Sequence, residues 1–414
     1  MRIFNRIQKS SANGICPEIK LNHIRHKLSH KLTPFFAEIR QYSSQNDFFR
    51  SDLYRNLSEE IHRVENGLDW KNNFEREPER DWLRVTAWNI ERGINLQGII
   101  HLLKNHPVLR ESDVLLLTET DIGMSRSGNK NVPEEISRAL KMNYVFANSF
   151  IELTKGDVGE QHFEGENTLS LHGCAVLSRF PILSCRTPML HKVEDEFRAY
   201  EKRLGHRRGL ICSIRAGKTI FDAATVHLDL RTSAKQRALQ LKSMLSEMMQ
   251  SQHLKQIIGG DLNTHTYNMQ TKLKLFGSFV YKCLFTGVHG AIKHYNIPGE
   301  FFEQPVAKAF ANFGFDYSHF NEPLTGTLVY DFHETTIQKK MDKYASVKLQ
   351  NWLSNRLKPF EGRVPIRLDW LAGKNINPLR AISPFAVDDQ PSVLPKFNNL
   401  RVSDHLPICV DLPI

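Results

Sequence analysis

The chain has 414 residues, of which 41% are hydrophobic and 24% are charged. This is the composition of a globular protein rather than a disordered one. The length suits one large domain with additions, or two ordinary domains. No stretch approaches the eighteen unbroken apolar residues that a membrane-spanning helix needs, so we predict no integral membrane segment.

The charge of the chain is concentrated at its N-terminus. The net charge is +10, and residues 1–45, with eight Lys/Arg and two Glu, carry +6 of it. A positive charge favours anionic partners such as nucleic acid, phosphorylated small molecules or an acidic membrane surface. Residues 1–45 have no long apolar run, and RQYSS (40–44) resembles a mitochondrial cleavage site. We predict that residues 1–45 are a basic tail or targeting segment, and that the protein is intracellular, in the cytoplasm or the mitochondrion.

The six cysteines are scattered and form no CxxC pair. Several stand in apolar, strand-like runs, where a free cysteine acts as a small hydrophobic residue. The pattern indicates a reducing compartment, with neither a disulfide framework nor a zinc site.

The elements can be followed along the chain. We predict a helical lead-in over residues 46–82, a strand over 83–90, a helix over 97–106 and a buried strand over 113–120. A further helix follows Ser233, because apolar residues recur at spacings of four and three from there. Further strands are predicted at CAVLSRF (174–180), LICSIRA (210–216), TIFDAATVHLDL (219–230), QIIGGDLNT (256–264), IRLDWLAGKNI (366–376) and LPICVDL (406–412).

Residues 266–360 do not continue this succession of predicted strands and helices. They are rich in aromatic residues and histidine and lack a period-two alternation. We predict a mainly helical insertion into the core domain, able to overhang a site.

Acids, amides and histidines gather at the predicted strand ends, where loops can present them on a rigid scaffold. In chain order they are Asn89, Glu119, His227, Asp261, Asn263, Asp369, Asp404 and His405.

Two of these strand ends suit metal and water chemistry. Glu119 follows an apolar run, and a carboxylate there is the oxygen ligand that Mg²⁺ prefers. Asp261 and Asn263 are two residues apart and so face the same side of a strand, where they could hold and orient a water. The structural alternatives are a solvated loop acid for Glu119 and an Asx turn for GGDLNT.

The histidines suggest acid–base chemistry. His227 shares a strand face with Asp229, although a hydrogen-bonded core histidine is the alternative. Asp369 stands between apolar residues, and a buried carboxylate needs a partner. SDHLP (403–407) offers His405, and an Asp–His pair orients the imidazole and stabilises its cation. A purely structural ion pair is the alternative.

Seven segments resemble, in chain order, the signature blocks of the endonuclease/exonuclease/phosphatase superfamily. They are WNIERG, LLLTETD, GCAVLSRFPI, ATVHLD, GGDLNT, RLDWL and SDHLP. The resemblance covers residues 83–265 and 363–414. It implies an α/β (α+β) fold over residues 83–414, a four-layer sandwich of two packed mixed β-sheets flanked by helices, interrupted by the insertion 266–360.

The resemblance also implies a function and a cofactor. The superfamily includes deoxyribonucleases, apurinic endonucleases, neutral sphingomyelinases, inositol polyphosphate phosphatases and deadenylases. The chain should therefore be a hydrolase that cleaves a phosphate ester with Mg²⁺, or alternatively Mn²⁺, by attack of an activated water. Its substrate would be a nucleic acid, as for a phosphodiesterase of the nuclease kind, or a phosphorylated lipid or sugar.

The metal roles that the resemblance implies fall on three residues. Glu119 corresponds to the principal Mg²⁺ ligand, and Asn89 to a helper that contacts metal-bound water or phosphate. Asp404 would contribute to the metal site or its surroundings.

The chemical roles fall on the other strand ends. Asp261 corresponds to the residue that activates water, and Asn263 to one that orients it. His405, paired with Asp369, would contact the scissile phosphate. His227 occupies a position that contacts phosphate and protonates the leaving oxygen; apurinic endonucleases have Tyr there, so the chain leans away from them. The division of acid and base among the two histidines and Asp261 stays open.

Arginines in two loops are candidates for substrate contact. Arg126 lies in a polar loop after the Glu119 strand, and Arg208 lies before a strand. Arginine suits bidentate phosphate binding, although most surface arginines are simply solvated.

Two alternatives of another class remain: an inactive module that binds nucleic acid or lipid headgroups, and a scaffold whose insertion recruits a partner. Within the hydrolases, a nuclease should have a basic groove bearing aromatic residues. A lipid enzyme should expose apolar residues around its site; the candidates are Phe301, Phe302, Phe310 and Phe313.

Overall fold

Two mixed β-sheets form the centre of the computed structural model, which describes residues 16–268, 274, 277–278, 281–282, 286–333, 347–386 and 393–414. The strands are, in chain order, β1 (Ile19–Lys20), β2 (Arg25–His26), β3 (Leu68–Lys71), β4 (Trp82–Arg92), β5 (Val114–Ile122), β6 (Asn143–Glu152), β7 (Leu171–Ser178), β8 (Ile182–Arg186), β9 (Arg203–Gly205), β10 (Leu210–Ala216), β11 (Thr219–Thr225), β12 (Gln256–Asp261), β13 (Leu328–Asp331), β14 (Arg363–Ile366), β15 (Asp369–Lys374), β16 (Arg380–Ile382), β17 (Lys396–Phe397), β18 (Leu400–Arg401) and β19 (Ile408–Pro413).

The α-helices surround these sheets. They are, in chain order, α1 (Phe36–Ile39), α2 (Gln45–Phe49), α3 (Asp52–Glu65), α4 (Leu96–Asn105), α5 (Val132–Leu140), α6 (Ala234–Met248), α7 (Gly287–Asn296), α8 (Gln304–Asn312) and α9 (Val347–Leu357). None of the described helices has both the length and the apolar composition to cross a bilayer.

The larger sheet has the strand order β16-β19-β4-β5-β7-β6-β3-β2, with β9 paired to β6, and the smaller sheet has the order β1-β8-β10-β11-β12-β15. β4 pairs with β5 in parallel, and β11 with β12 in parallel, while the remaining pairings within both sheets are antiparallel. The carboxyl ends of β4 and β5 therefore lie at one rim, as do those of β11 and β12.

The two sheets pack face to face over an apolar core. Val85, Ala87 and Leu116 of the larger sheet contact the cluster that contains Ile257 and Leu371 of the smaller one. Val85 and Ala87 are two residues apart because alternate side chains of a strand share a face.

Helices cover the outer face of each sheet. Apolar residues of α3, α4 and α5 pack with Trp88 and Leu117 on the outside of the larger sheet. Apolar residues of α6 and α8 pack with Ile258 and Ala372 on the outside of the smaller sheet. The molecule is thus a four-layer α/β sandwich of two packed mixed sheets flanked by helices, which confirms the expected fold class.

Residues 16–45, which the composition assigns to a basic tail, pack against this sandwich. β1 adds to β8 and β2 adds to β3, and Leu28, Leu32 and Ile39 are buried. Residues 1–15 lie outside the described part of the chain, and a targeting role for the segment stays a prediction. The lead-in 46–82 holds most of α2, all of α3, and β3.

The predicted insertion 266–360 is described in part. Its described residues include α7, α8, α9 and the short strand β13, which pairs with β14. Helix α8 belongs to the outer layer on the smaller sheet, since its Val306, Ala309 and Phe310 join the α6 cluster. The insertion is therefore built into the sandwich at this point.

The described cysteines, Cys16, Cys174, Cys185, Cys212 and Cys409, are free thiols, and all except Cys16 are buried. Cys283 lies outside the described residues.

Candidate active site

The chain leaves regular strand geometry where β4 and β5 end. The β4–β5 register shifts between Asn89 and Arg92, and the β5–β7 register shifts between Leu117 and Thr120. Glu119, in the second shift, has a φ of 52°, in the left-handed region that residues other than glycine seldom adopt. A bulge of this kind re-aims a side chain, and here it turns the Glu119 carboxylate out of the ladder.

Two glycines explain how β12 reaches the same rim. A Cβ on Gly259 would lie 3.0 Å from both Ala87 Cβ and Leu116 Cδ1 of the facing sheet, and one on Gly260 would lie 2.2 Å from the carbonyl oxygen of Val226. The GG of GGDLNT thus allows close packing immediately before Asp261.

Asp261 and Asp369 are cross-strand neighbours, because β12 and β15 pair antiparallel with these two residues in register. Both side chains are buried. Ligand atoms of Asp261, Asp369 and His405 lie within 4.8 Å of one another. The sheet therefore brings together carboxylates that are 108 residues apart in the sequence.

His405 and Asp369 form a buried pair. His405 Nδ1 lies 2.7 Å from Asp369 Oδ2. The backbone around them is fixed as well: Trp88 Nε1 donates to the His405 carbonyl at 2.9 Å, and the Ser403 hydroxyl accepts from His405 N–H at 3.1 Å. Burial alone would lower the pKa of His405, but the charge and hydrogen bond of Asp369 raise it well above its usual value. His405 is therefore a cation at neutral pH.

Thr327, a residue of the insertion 266–360, stabilises this pair through hydrogen bonds to the backbone. The Thr327 hydroxyl oxygen accepts from the backbone N–H of Leu368 at 2.9 Å and of Asp369 at 3.0 Å. The Thr327 carbonyl accepts from the N–H of Leu406 at 2.6 Å. Thr327 thus connects the segments that carry Asp369 and His405.

Asp261 is the centre of the cluster. Its Oδ2 lies 3.1 Å from Asn89 Nδ2, 3.5 Å from His227 Nε2 and 3.9 Å from His405 Nε2. Its Oδ1 accepts from the N–H of Asn263 at 2.8 Å. Burial raises the pKa of Asp261, His405 opposes the rise, and Asp369 adds to it. The carboxylate is thus a stronger base than an exposed aspartate.

His227 differs from His405 in charge. Burial, together with the positive charge of Arg207, lowers the pKa of His227 to about 3. His227 is therefore neutral at physiological pH, so that the two imidazoles on either side of Asp261 carry different charges.

Glu119 is an ionised carboxylate beside this cluster. Burial would raise the pKa of Glu119, but the charge of Arg92 holds it well below its usual range. Its Oε2 lies 3.7 Å from Arg92 Nε, and no residue that the structure describes donates a hydrogen bond to the carboxylate. Glu119 thus remains available as an oxygen ligand.

Asp404 lies half-buried beside the cluster. Burial and the charge of Asp404 raise the pKa of Glu91 to about 7. Asn263 is held against the segment that follows β11, because its Nδ2 donates to the carbonyl of Leu228 at 2.8 Å. All eight strand-end residues therefore lie at one rim of the two sheets.

The two arginines expected to contact substrate lie elsewhere. Arg126 is 2% exposed and donates to Asp121 and Glu160 at 2.7 and 2.8 Å, and also to Glu201. Carboxylates surround it because a buried guanidinium needs compensating charge.

Arg208 is likewise inside the fold, where it donates to the Thr187 carbonyl at 3.2 Å and to Asn66 Oδ1 at 2.8 Å. Neither Arg126 nor Arg208 reaches the rim that holds the cluster, so the structure supports neither as a substrate contact.

Sequence reasoning missed Arg92, Thr327 and Glu91 as parts of this rim. The WNIERG block contains two of them, but nothing in its letters shows that Glu91 and Arg92 adopt φ values of 45° and 63°. Thr327 comes from a region without a readable period.

Comparison with known proteins gives the family. The model of the Endonuclease/Exonuclease/phosphatase family matches residues 86–405. No curated protein matches the chain.

Similar solved structures include the human Nocturnin catalytic domain with bound sulfate anion, at 14% identity and a TM-score of 0.43, covering 83% of this chain and 97% of that one. D. rerio TDP2 complexed with single strand DNA product has 13% identity and a TM-score of 0.41, covering 81% and 100%. Staphylococcus aureus beta toxin has 12% identity and a TM-score of 0.42, covering 79% and 99%. The family match spans most of the chain and includes every residue of the cluster. The chain belongs to the endonuclease/exonuclease/phosphatase family, whose members are generally phosphoester hydrolases.

Proposed function

We propose that the protein is a divalent-metal-dependent hydrolase that cleaves a phosphodiester by attack of an activated water. The observation that carries this proposal is the arrangement around Asp261. Its Oδ2 lies within 3.9 Å of Asn89, a neutral His227 and a cationic His405. Phosphodiesters repel anionic nucleophiles and develop charge on their non-bridging oxygens, so their hydrolysis needs such a mixture of base and fixed positive donors.

Glu119, Asn89 and Asp404 are the residues that would hold the metal. Mg²⁺ prefers carboxylate and amide oxygens and retains several waters, so a small ligand set is enough. The Glu119 carboxylate fits this need because it is ionised and accepts no hydrogen bond from the described residues. When bound, Mg²⁺ or Mn²⁺ would neutralise phosphate charge and stabilise the leaving oxygen. The protonated His405 is unsuited to ligation, since a ligand imidazole must be neutral.

Asp261 would act as the general base. Its raised pKa makes it more basic than an exposed aspartate, and the N–H of Asn263 fixes one carboxylate oxygen while the other faces the two histidines. Asn263 would orient the water through its side-chain oxygen, since its amide nitrogen is engaged by Leu228. General base catalysis contributes roughly 10²–10⁴-fold.

His405 would stabilise charge on the phosphate. Its cation is maintained by Asp369, which lies 2.7 Å from Nδ1 and leaves Nε2 directed toward Asp261. His227 would donate a hydrogen bond from its neutral imidazole to a phosphate oxygen. The leaving oxygen would take its proton from the protonated His405, which could regain one from Asp261, whose Oδ2 lies 3.9 Å from His405 Nε2. The pH–rate profiles of variants at His227, Asp261 and His405 test this division of the proton transfers.

The candidate lipid-contact residues give limited support to a membrane substrate. Phe310 is buried in the α6–α8 cluster, and Phe302 and Phe313 are half-buried. Phe301 is 40% exposed, but it stacks on His294 with ring centroids 3.6 Å apart. We therefore propose a nucleic acid or other soluble phosphodiester as substrate, and keep hydrolysis of phospholipids or sugar phosphates as the alternative.

An activity panel in Mg²⁺ tests the proposal. The substrates are plasmid DNA, single-stranded DNA, RNA, bis-p-nitrophenyl phosphate, sphingomyelin and inositol phosphates. The variant Asp261→Asn should lose at least 100-fold in rate, and EDTA should abolish hydrolysis. Asp222→Asn is a matched control: Asp222 is also buried in the smaller sheet, but it pairs in register with Gln256, at the opposite end of β12.

Hydrolysis that survives both Asp261→Asn and EDTA would refute the mechanism. Binding of DNA or anionic vesicles without any hydrolysis would instead support the inactive binding module.

A further inference from the structure

Arg92 stands beside the metal-ligand candidate Glu119 and has no part in the mechanism above. It belongs to a run of three residues, Glu91, Arg92 and Gly93, with φ values of 45°, 63° and 73°. Two consecutive non-glycine residues in this region cost free energy, and such strain persists only where the surrounding structure fixes it, often at functional sites. The run turns the Arg92 side chain toward the rim where β5 places Glu119.

Arg92 has a close carboxylate partner at one end of its guanidinium but not at the other. Its Nη1 lies 2.9 Å from Glu160 Oε1, while its Nε lies 3.7 Å from Glu119 Oε2, beyond hydrogen-bond distance. The Nε is buried, yet it donates to none of the described residues. A buried guanidinium N–H without an acceptor is uncommon, because leaving it unpaired costs about as much as a lost hydrogen bond. An acceptor absent from the protein itself is therefore expected at Nε.

We propose that Arg92 binds a non-bridging oxygen of the substrate phosphate. The inference rests on the proposed function and assigns it a substrate-binding residue. A guanidinium presents donors in a planar fork that matches phosphate oxygens. With Nη1 against Glu160, the edge that carries Nε faces Glu119.

Glu160 positions this arginine through an ion pair. Its other carboxylate oxygen accepts from Arg126 Nη1 at 2.8 Å, and Arg126 is itself held by Asp121 and Glu201. A side chain that is ordered before the ligand arrives loses less entropy on binding. Arg126, which the sequence predicted as a substrate contact, is buried. It would therefore affect substrate binding indirectly, because it holds Glu160 and Glu160 holds Arg92.

The charge balance at Glu119 points to the same ligand. Among the described residues, Arg92 is the cationic side chain recorded within 4 Å of the Glu119 carboxylate, with Nε 3.7 Å from Oε2. A divalent cation bound at Glu119 would share that carboxylate with Arg92, and an anion is the group that can contact both positive charges. A phosphate oxygen satisfies this requirement, because its negative charge is attracted to both cations.

The test is binding of inorganic phosphate to the full chain in saturating Mg²⁺, measured by isothermal titration calorimetry. Arg92→Lys should raise the Kd about tenfold, because an ammonium cannot reproduce the planar fork, and Arg92→Ala should raise it further. The KM for bis-p-nitrophenyl phosphate should rise by a similar factor. Mg²⁺ affinity without phosphate should be unchanged or higher, because a competing positive charge has been removed.

Arg80→Lys is the matched control. Arg80 pairs with Glu111 at 2.8 Å and Asp113 at 2.6 Å, and its side chain is 25% exposed against 20% for Arg92. It stands just before β4, at the end of the strand opposite Asn89. Arg80→Lys should leave the Kd for phosphate unchanged.

Two results would overturn the inference: an unchanged phosphate Kd in both Arg92 variants, or a loss of Mg²⁺ affinity that accounts for the whole change. The second result would show that Arg92 only holds Glu119 in place. Phosphate binding that depends on Arg92 in a protein without hydrolytic activity would refute the proposed function and support this inference.

Discussion

His405 Nδ1 lies 2.7 Å from Asp369 Oδ2, with both side chains buried. Removing the carboxylate in Asp369→Ala should lower turnover at least 100-fold, because the imidazole loses both its charge and its orientation. It should also lower the free energy of unfolding by about 3–5 kcal/mol, since a buried cation loses its partner. Steady-state kinetics and urea denaturation measure the two effects. A variant with wild-type rate and melting temperature would rule out the pairing.

The Thr327 hydroxyl supports the same pair through backbone N–H groups. In Thr327→Val the N–H groups of Leu368 and Asp369 lose their acceptor while the volume is nearly kept. We expect a loss of about 1–3 kcal/mol in the free energy of unfolding, because buried donors are left unpaired. We also expect a lower kcat with little change in KM, because the Asp369 carboxylate shifts. Thr327→Ser keeps the oxygen and should restore kcat; if it does not, the hydroxyl is not what positions Asp369.

The blocks GGDLNT, RLDWL and SDHLP allowed the neighbours of Asp261 to be anticipated from sequence. Each combines an apolar strand with a polar end, and strand ends that share a rim must lie close together. The strand-end residues did come together, and the fold class was confirmed. Their catalytic and metal roles remain predictions.

Other parts of the rim could not be anticipated, for physical reasons. The partners of Arg126, Glu160 and Glu201, are 34 and 75 residues away, and only the folded chain brings them into contact. The left-handed backbone at Glu119 and Arg92 cannot be predicted from the sequence, because glycine is the residue that usually indicates this conformation. Thr327 lies in a segment where no periodicity distinguishes one polar residue from another.

The different charge states of His227 and His405 can be tested by pH titration in EDTA. Burial, together with Arg207, lowers the pKa of His227 to about 3, while Asp369 raises that of His405 well above the usual value. In NMR spectra of the imidazole nitrogens, His227 should therefore stay neutral from pH 8 to about pH 4, and His405 should stay protonated at pH 7.

Protein stability should follow the titration of His227. The unfolded chain takes up a proton near pH 6.5, whereas the folded state does so only near pH 3. The contribution of the neutral His227 to the free energy of unfolding is thus fully present above pH 6.5. It is lost as the pH falls from there toward 3. The variant His227→Gln should remove this part of the pH dependence of the unfolding free energy. A titration of His227 near pH 6.5 in the folded protein would contradict the assignment.

Gly260 sets how closely β12 approaches the segment that carries His227. Its φ is +136°, and a Cβ there would lie 2.2 Å from the carbonyl oxygen of Val226, a backbone atom that cannot rotate away. Gly260→Ala should therefore displace Asp261 and lower both stability and turnover. Gly165→Ala separates the cost of the positive φ from that of the contact with Val226. Gly165 has a φ of +78°, but an added Cβ would have nothing within 4 Å. That control should lose only about 1 kcal/mol for the left-handed backbone. Equal losses in thermal denaturation for the two variants would show that the contact with Val226 plays no part in placing Asp261.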